Sequence, residues 1–237
     1  MIAIYNTLLY QPIYNLLVFF YNLVPGHDLG LAIILFTLLI KLILSPLFVQ
    51  SIKAQRSMQT IQPKLDELKE KFKDQKEKLG PAIMELYKKE KVSPFSSCLP
   101  LLIQMPILIA VFQVFRTGLI NGSFELIYPF ITNPGSINPV SLGLVDLSKN
   151  NLVMAILAGA AQFWQSKMML GHKKNQPQPK SALAASMNKQ MLYFMPIVTA
   201  VIGASLPGGL TFYWLLTTLL GVVQQAMVFK KMDKVAA

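Results

Sequence analysis

Cysteine and histidine are scarce in this chain, and both shortages restrict its chemistry. The single cysteine, Cys98, has no partner for an internal disulfide, and the two histidines have no cysteine or carboxylate at metal-ligand spacing. We therefore expect no disulfide, no bound metal and no cofactor. The N-terminus also lacks a basic segment followed by a short apolar stretch and a small-residue cleavage site, so we expect no secretory signal to be removed.

Charged residues are few as well, at 14% of the 237 positions, whereas hydrophobic residues reach 53% and the mean hydropathy is +0.47. This composition is typical of an integral membrane protein with several spans rather than of a soluble domain. The net charge of +11 would indicate nucleic-acid binding if the basic residues clustered on a soluble face. They lie instead in the connections between apolar segments, which argues against that function.

Five apolar segments predict membrane-spanning helices, so the expected fold class is an all-α integral membrane protein with a five-helix bundle. They cover residues 29–52, 95–117, 150–169, 190–206 and 209–229. Pro207-Gly208-Gly209 leaves room only for a tight turn, so the last two spans form an antiparallel hairpin. In the segment 1–28 the tyrosines favour the headgroup level, which predicts an extracytoplasmic surface helix; a spanning helix over 1–24 is the alternative.

Residues 53–94 have a different character, because eleven of the forty residues from 53 to 92 are Lys or Arg and seven are Asp or Glu. This segment lies in water. Apolar residues at spacings of three and four, from Met58 to Phe72, predict one amphipathic helix. Gly80-Pro81 predicts a break before a second helix, on which Ile83, Met84 and Tyr87 pack against the first. We expect a cytoplasmic helical hairpin, with a solvated spacer or an oligomer contact as alternatives.

The distribution of lysine and arginine predicts the orientation. Nineteen of the 22 lie in three segments: eleven between Lys53 and Lys91, five between Lys167 and Lys189, and three after Phe229. By the positive-inside rule, the hairpin, the loop 170–189 and the tail 230–237 are cytoplasmic. The N-terminus and the loop 118–149 then lie outside, and the C-terminus lies inside.

The first predicted span carries one charge, Lys41, in its middle. A cation at membrane depth costs between ~2.5 and ~17 kcal/mol by different estimates, so it is usually paired, hydrated or functional. Thr37, Lys41 and Ser45 lie four residues apart and form one polar stripe on the helix. The simpler alternative is that the Lys41 stem only extends toward the nearer interface.

Polar side chains also occur in the other predicted spans. Thr211, Thr218 and Gln225 lie seven residues apart on one face of the last span, and Trp214 lies beside them. Further polar residues of the spans are Tyr213, Thr217 and Gln224 in the last, Gln104 and Gln113 in the second, and Gln162 and Gln165 in the third. Ordinary hydrogen bonding between helices is the alternative explanation for all of them.

The segment Lys91-Val-Ser-Pro-Phe-Ser-Ser-Cys-Leu-Pro-Leu-Leu-Ile-Gln-Met-Pro-Ile107 closely resembles the hallmark segment of the YidC family of membrane protein insertases. The resemblance extends over about residues 10–232. Its other parts are Gln11-Pro12-Ile13-Tyr14, Gly30 to Pro46, Met58 to Lys64, Met195-Pro196, Pro207 to Trp214 and Gln224-Gln225.

The resemblance implies a bundle that encloses a hydrophilic groove, open to cytoplasm and lipid and closed toward the outside. Lys41 matches the basic groove residue, although many members have arginine there, and Thr37 and Trp214 match positions that face the substrate helix. Gln104, Gln162, Thr218 and Gln225 rest on polarity alone. The candidate groove residues are Lys41, Thr37, Ser45, Gln104, Gln162, Tyr213, Trp214, Thr218 and Gln225.

We therefore expect a non-enzymatic membrane insertase and chaperone in the bacterial cytoplasmic (inner) membrane. The expected partners are nascent single-span or acidic-tailed membrane proteins and the lipid bilayer, with the ribosome and a Sec translocon as further candidates. One alternative is a small anion or solute transporter that uses Lys41; the absence of an acidic residue within any span and of an inverted repeat argues against it. Another is a structural scaffold that uses the hairpin.

Overall fold

The computed structural model describes residues 2–73, 75–119, 124–171, 186 and 188–236. The predicted all-α class is confirmed, because helices account for nearly all of the regular structure. The cytoplasmic loop predicted at 170–189 falls largely outside the described residues.

The chain begins with three helical segments in direct succession: α1 (Ile2–Tyr5), a π-helical turn (Asn6–Tyr10) and α2 (Gln11–Leu23). Helix α2 ends before a 3-10 turn at Pro25–His27. Its buried face carries large apolar and aromatic side chains, namely Ile13, Tyr14, Leu17, Val18 and Tyr21. These residues form the main hydrophobic core together with the helices that follow.

Helix α3 (Leu29–Lys71) joins the first predicted span and the first arm of the hairpin in one continuous helix, which passes through Pro46 and Pro63. Asp28 caps its N-terminus by accepting a hydrogen bond from the Leu31 N–H at 2.9 Å. We call the Asp28 end of α3 the loop end and the Lys71 end the hairpin end.

The two arms of the hairpin are separated between Lys71 and Lys76, and not at Gly80-Pro81 as predicted. Helix α3 ends before Phe72, and α4 (Lys76–Lys89) runs through Gly80 and Pro81 without interruption. Pro81 is the sixth residue of α4, so the helix continues past it with one backbone hydrogen bond fewer. Met84 is 55% exposed, so it does not pack as expected. The arms are joined instead by an ion pair between Lys64 and Glu90 at 2.6 Å.

Helix α5 (Pro94–Gln113) continues into a second π-helical turn (Val114–Leu119). The loop that follows contains two short antiparallel strands, β1 (Val140–Ser141) and β2 (Val145–Asp146). It docks on α2 through side chains that bind its backbone. The Asn15 amide donates to the Leu126 carbonyl at 2.8 Å, and the Tyr21 hydroxyl accepts from the Asn138 N–H at 2.9 Å.

The C-terminal part consists of α6 (Leu152–Gly171), a third π-helical turn (Gln190–Phe194), α7 (Met195–Ser205) and α8 (Gly208–Ala236). Small residues let α6 and α7 pack closely: a Cβ on Gly159 would lie 2.9 Å from the Pro196 carbonyl oxygen. The Thr211 hydroxyl donates to the Gly203 carbonyl at 2.9 Å and fastens α8 to α7.

The main helices pack in the spatial order α5, α3, α8, α6, α7, and α2 covers α3 near the loop end. Helices α3 and α8 run parallel, because Ser45 contacts Gln224 and, further toward the hairpin end, Arg56 pairs with Asp233. Both contain stretches long and apolar enough to cross a membrane, within Leu29–Lys71 and Gly208–Lys234. Leu102–Arg116 and Gln190–Ser205 are shorter apolar helices.

Candidate functional site

Lys41 lies half-buried on α3 and extends toward the hairpin end. Its ammonium nitrogen is 4.3 Å from the centre of the Phe48 ring, which is seven residues further along the same helix. This contact places the charge over the negative face of an aromatic ring. Among the ion pairs of the described residues, none involves Lys41.

Gly221 on α8 provides the space into which Lys41 extends. A Cβ at Gly221 would lie 3.7 Å from the Lys41 ammonium nitrogen and 2.6 Å from the Gln165 amide nitrogen on α6. The absence of a side chain at this one position therefore lets a cation from α3 and an amide from α6 approach the same point of α8.

One helical turn further toward the hairpin end, the Gln224 amide donates to the Ser45 hydroxyl at 3.1 Å. We call Lys41, Ser45, Gln165 and Gln224 the polar cluster. An ammonium and two amides can together donate several hydrogen bonds to a carboxylate or a backbone carbonyl. The described residues contain no group of three His, Cys, Asp or Glu side chains that could hold a metal ion.

A second polar contact lies nearer the loop end. The Gln104 amide on α5 donates to the Tyr213 hydroxyl on α8 at 3.0 Å. The Tyr213 ring is 1% exposed and lies 5.8 Å, centre to centre, from the Phe36 ring on α3. This contact ties α5, α3 and α8 together beside the main core; Tyr213 is buried in it, whereas Gln104 is half-buried.

The predicted threonines bond within their own helices. The Thr37 hydroxyl donates to the Ile33 carbonyl at 2.6 Å, and the Thr218 hydroxyl donates to the Trp214 carbonyl at 2.9 Å. Both side chains are buried, at 1% and 5% exposure. Only part of the predicted polar stripe on α3 therefore belongs to the polar cluster. Lys41 and Ser45 belong to it, whereas Thr37 is buried and bonded within α3.

Gln225 lies on α8, four residues beyond Gly221. Gln225 is 1% exposed, and its amide nitrogen has no hydrogen-bond partner among the described residues. Gln162 on α6 and Trp214 on α8 are half-buried.

Sequence reasoning did not assign Gln165, Gln224 and Gly221 to the site. Gln165 and Gln224 were noted only as polar residues of their spans, because helical spacing does not tell which of two neighbouring glutamines faces which helix. The position of Gly221 in the sequence could have indicated its place in the site. It lies seven residues after Trp214, on the same face of α8. A glycine inside an apolar helix often marks a close approach.

The loop end is fastened around Asp28. Its carboxylate accepts hydrogen bonds from the Ser141 hydroxyl at 2.8 Å and from the Leu142 N–H, in addition to the helix cap. Burial raises the pKa of Asp28, but these bonds together outweigh it and hold the pKa below its usual value. A Cβ at Gly30 would lie 2.9 Å from the Ser141 Cβ, so this docking also requires glycine.

Comparison with known proteins gives one consistent family. The family model described as "60Kd inner membrane protein" matches residues 19–235. The chain is 38% identical over 225 residues to the membrane protein insertase YidC of Shewanella pealeana. The aligned region covers 94% of this chain but only 37% of that protein. It is 35% identical over 225 residues to the membrane protein insertase YidC of Fusobacterium nucleatum. That aligned region covers 92% of this chain and 98% of that protein. The small-anion transporter alternative has no support from these matches.

Proposed function

The chain belongs to the 60Kd inner membrane protein family, the YidC family of membrane protein insertases, and from that premise we propose that it inserts newly made proteins into a membrane and assists their folding. The relatedness covers most of this chain. The chain spans about 37% of the length of its Shewanella relative, so the proposed activity is that of residues 1–237 alone.

We place five helical spans in the bacterial cytoplasmic membrane, with the loop end outside and the hairpin end in the cytoplasm. Two features support this arrangement. The loop 124–149 and the start of α3 meet at one end, through Asp28, whereas α4, the basic end of α3 and the tail of α8 lie at the other. Lysine and arginine are concentrated at the second end, as the positive-inside rule requires.

In this proposal the space beside the polar cluster is a hydrophilic groove for the incoming chain. The helix order supports it: α8 separates α3 and α5 from α6 and α7, and among the described residues α5 makes no extensive contact with α6 or α7. The side of the bundle between α5 and α6 is therefore where an additional helix fits. Lys41 and Gln165 lie on either side of Gly221, near this position.

The proposed mechanism requires no covalent chemistry. Moving a short polar segment across hydrocarbon is costly because its polar groups lose water. A wet groove shortens that path, and the Lys41 ammonium attracts an acidic extracellular tail. Once the apolar segment reaches lipid, hydrophobic burial holds it there and the tail is released. The preferred substrates are therefore single-span or small proteins with acidic tails.

The cytoplasmic hairpin is proposed to receive the nascent chain. Its surface is mixed in charge, with Lys64 paired to Glu90. This mixture favours transient contact with a substrate or a ribosome over tight ribosome binding. Cooperation with a Sec translocon is a further part of the proposal.

The single observation that carries the proposed mechanism is the Lys41 ammonium beside Gly221, which has no ion-pair partner among the residues that the structure describes. We expect Lys41→Ala to lower insertion of an acidic-tailed single-span protein into proteoliposomes at least about tenfold, because one charge-assisted contact is worth about 1.5–3 kcal/mol. Lys41→Arg keeps the charge and is expected to retain most of the activity.

Two controls make this experiment specific. The same substrate with a neutral tail should depend weakly on Lys41, and Lys149→Ala, which removes a cation paired to Asp146 at the loop end, should leave insertion unchanged. Undiminished insertion of the acidic-tailed substrate by Lys41→Ala would exclude the role of the cation. Absence of insertion by the unaltered chain would exclude the insertase function itself.

A further inference from the structure

A second polar feature lies away from the polar cluster, on the outer surface of α5 near the loop end. There a cavity of about 730 Å³ opens between α5 and the N-terminal helical segments. Its lining is mainly apolar and aromatic and contains one cation. The lining residues are Tyr10, Ile109, Phe112, Gln113 and Arg116.

Two of the three π-helical turns border this cavity. Tyr10 ends the turn Asn6–Tyr10, and Arg116 lies in the turn Val114–Leu119. A π-helical turn widens the helix and redirects its side chains, and such turns occur frequently at functional sites. Because two independent segments adopt this costly geometry at the same place, the cavity is a built feature rather than an incidental gap.

Within the described part of the chain, the cation at the cavity has no ion-pair partner. Arg116 is exposed and forms none of the ion pairs found among the described residues. Its guanidinium carbon lies 5.8 Å from the centre of the Phe112 ring, which holds the cation beside the apolar wall. The other basic residue at the loop end, Lys149, is paired with Asp146 at 3.0 Å.

We propose that this cavity binds the phosphodiester headgroup of a membrane phospholipid in the leaflet at the loop end. The planar guanidinium of Arg116 matches two phosphate oxygens. Ile109, which is 46% exposed, and Phe112 provide the apolar wall for the glycerol and the first acyl carbons. A free phosphate would leave that wall without an apolar partner.

The proposal requires the chain to lie in a bilayer but does not depend on its insertase activity. The test therefore measures bound lipid: the purified full chain in mild detergent is titrated with phosphatidylglycerol and followed by native mass spectrometry. We expect one tightly retained lipid, and we expect Arg116→Gln to weaken its binding about tenfold. Arg116→Lys should weaken it less, because the charge remains.

Four comparisons make the test decisive. Ile109→Trp enlarges one side chain of the apolar wall while keeping Arg116, and it should also weaken lipid binding. Lys149→Gln, the matched control, should bind the lipid as the unaltered chain does. Inorganic phosphate should not compete, and uncharged diacylglycerol should bind far more weakly.

The opposite results would overturn the proposal. Equal retention of phosphatidylglycerol by Arg116→Gln and the unaltered chain would exclude the site, as would an equal loss with Lys149→Gln, which would indicate nonspecific surface charge. Competition by inorganic phosphate would identify a free-anion site instead. Equal binding of diacylglycerol would show that the headgroup is not recognised.

Discussion

At the scale of single residues, the position of Lys41 depends as much on a missing side chain as on the charge itself. The ammonium extends toward the hairpin end, over Phe48, and Gly221 leaves the facing side of α8 open. Sequence spacing predicted the polar stripe on α3 but could not separate Thr37 from Lys41. The separation arises because a buried threonine bonds the carbonyl four residues back, whereas lysine is long enough to leave the helix.

Substitution of Gly221 tests the space beside Lys41 without removing the Lys41 charge. Gly221→Leu keeps Lys41 but fills the space between Lys41 and Gln165, so we expect insertion of the acidic-tailed substrate to fall about as far as with Lys41→Ala, at least about tenfold. Gly221→Ala should have a small effect, because its Cβ meets the movable end of Gln165. Insertion is measured in the same proteoliposomes.

The matched control for this substitution is Val223→Leu, which enlarges a side chain that is 54% exposed on the same helix. It should leave insertion unchanged. If Gly221→Leu inserts the substrate as fast as the unaltered chain, the space beside Gly221 is not part of the substrate path.

At the scale of elements, the sequence predicted the apolar helices more successfully than their boundaries. Apolar length identified the helices, but Gly80-Pro81 did not end one, because α4 already begins at Lys76 and continues past Pro81 with one backbone hydrogen bond fewer. The hydropathy of the sequence did not predict the π-helical turns at Asn6–Tyr10, Val114–Leu119 and Gln190–Phe194. The docking of the loop on α2 was equally hidden, because Asn15 and Tyr21 bind backbone groups distant in sequence.

The fastening at Asp28 gives a prediction for the loop end. Asp28→Ala removes the helix cap and the bonds to Ser141 and Leu142, so we expect a loss of about 1–2 kcal/mol of stability and faster amide exchange in residues 137–148. Hydrogen exchange with mass spectrometry measures the second effect. Glu125→Ala, which removes an exposed carboxylate of the same loop, should change neither.

The pH dependence of this fastening follows from the direction of the pKa shift. Because the pKa of Asp28 is lowered in the folded chain, its contribution is fully present above the usual carboxyl value of 3.8 and is lost as the pH falls through the lowered pKa. Amide exchange in residues 137–148 should therefore be insensitive to Asp28 protonation at neutral pH, once corrected for intrinsic exchange. Protection lost between pH 7 and pH 5 would contradict this assignment.

At the scale of the whole molecule, the two ends are built differently. The loop end is closed by hydrogen bonds to Asp28, Asn15 and Tyr21. At the hairpin end, Arg56 pairs with Asp233 and lies over the Phe229 ring, which joins α3 to α8. The charge distribution in the sequence predicted which end carries the basic residues. The order in which the helices pack was not predictable from the sequence. It depends on close contacts between residues distant in the chain, such as that of Gly159 on α6 with α7.

The most direct test of the account places a photo-crosslinking amino acid at single positions and stalls a nascent acidic-tailed substrate on the ribosome. The account predicts strong crosslinks from positions 41 and 214 and weaker ones from 37, because Thr37 is 1% exposed. Position 201, on the exposed face of α7 and 64% exposed, should crosslink little. Equal crosslinking from 201 and 41, or none from 41, would contradict the proposal that the substrate passes beside Lys41.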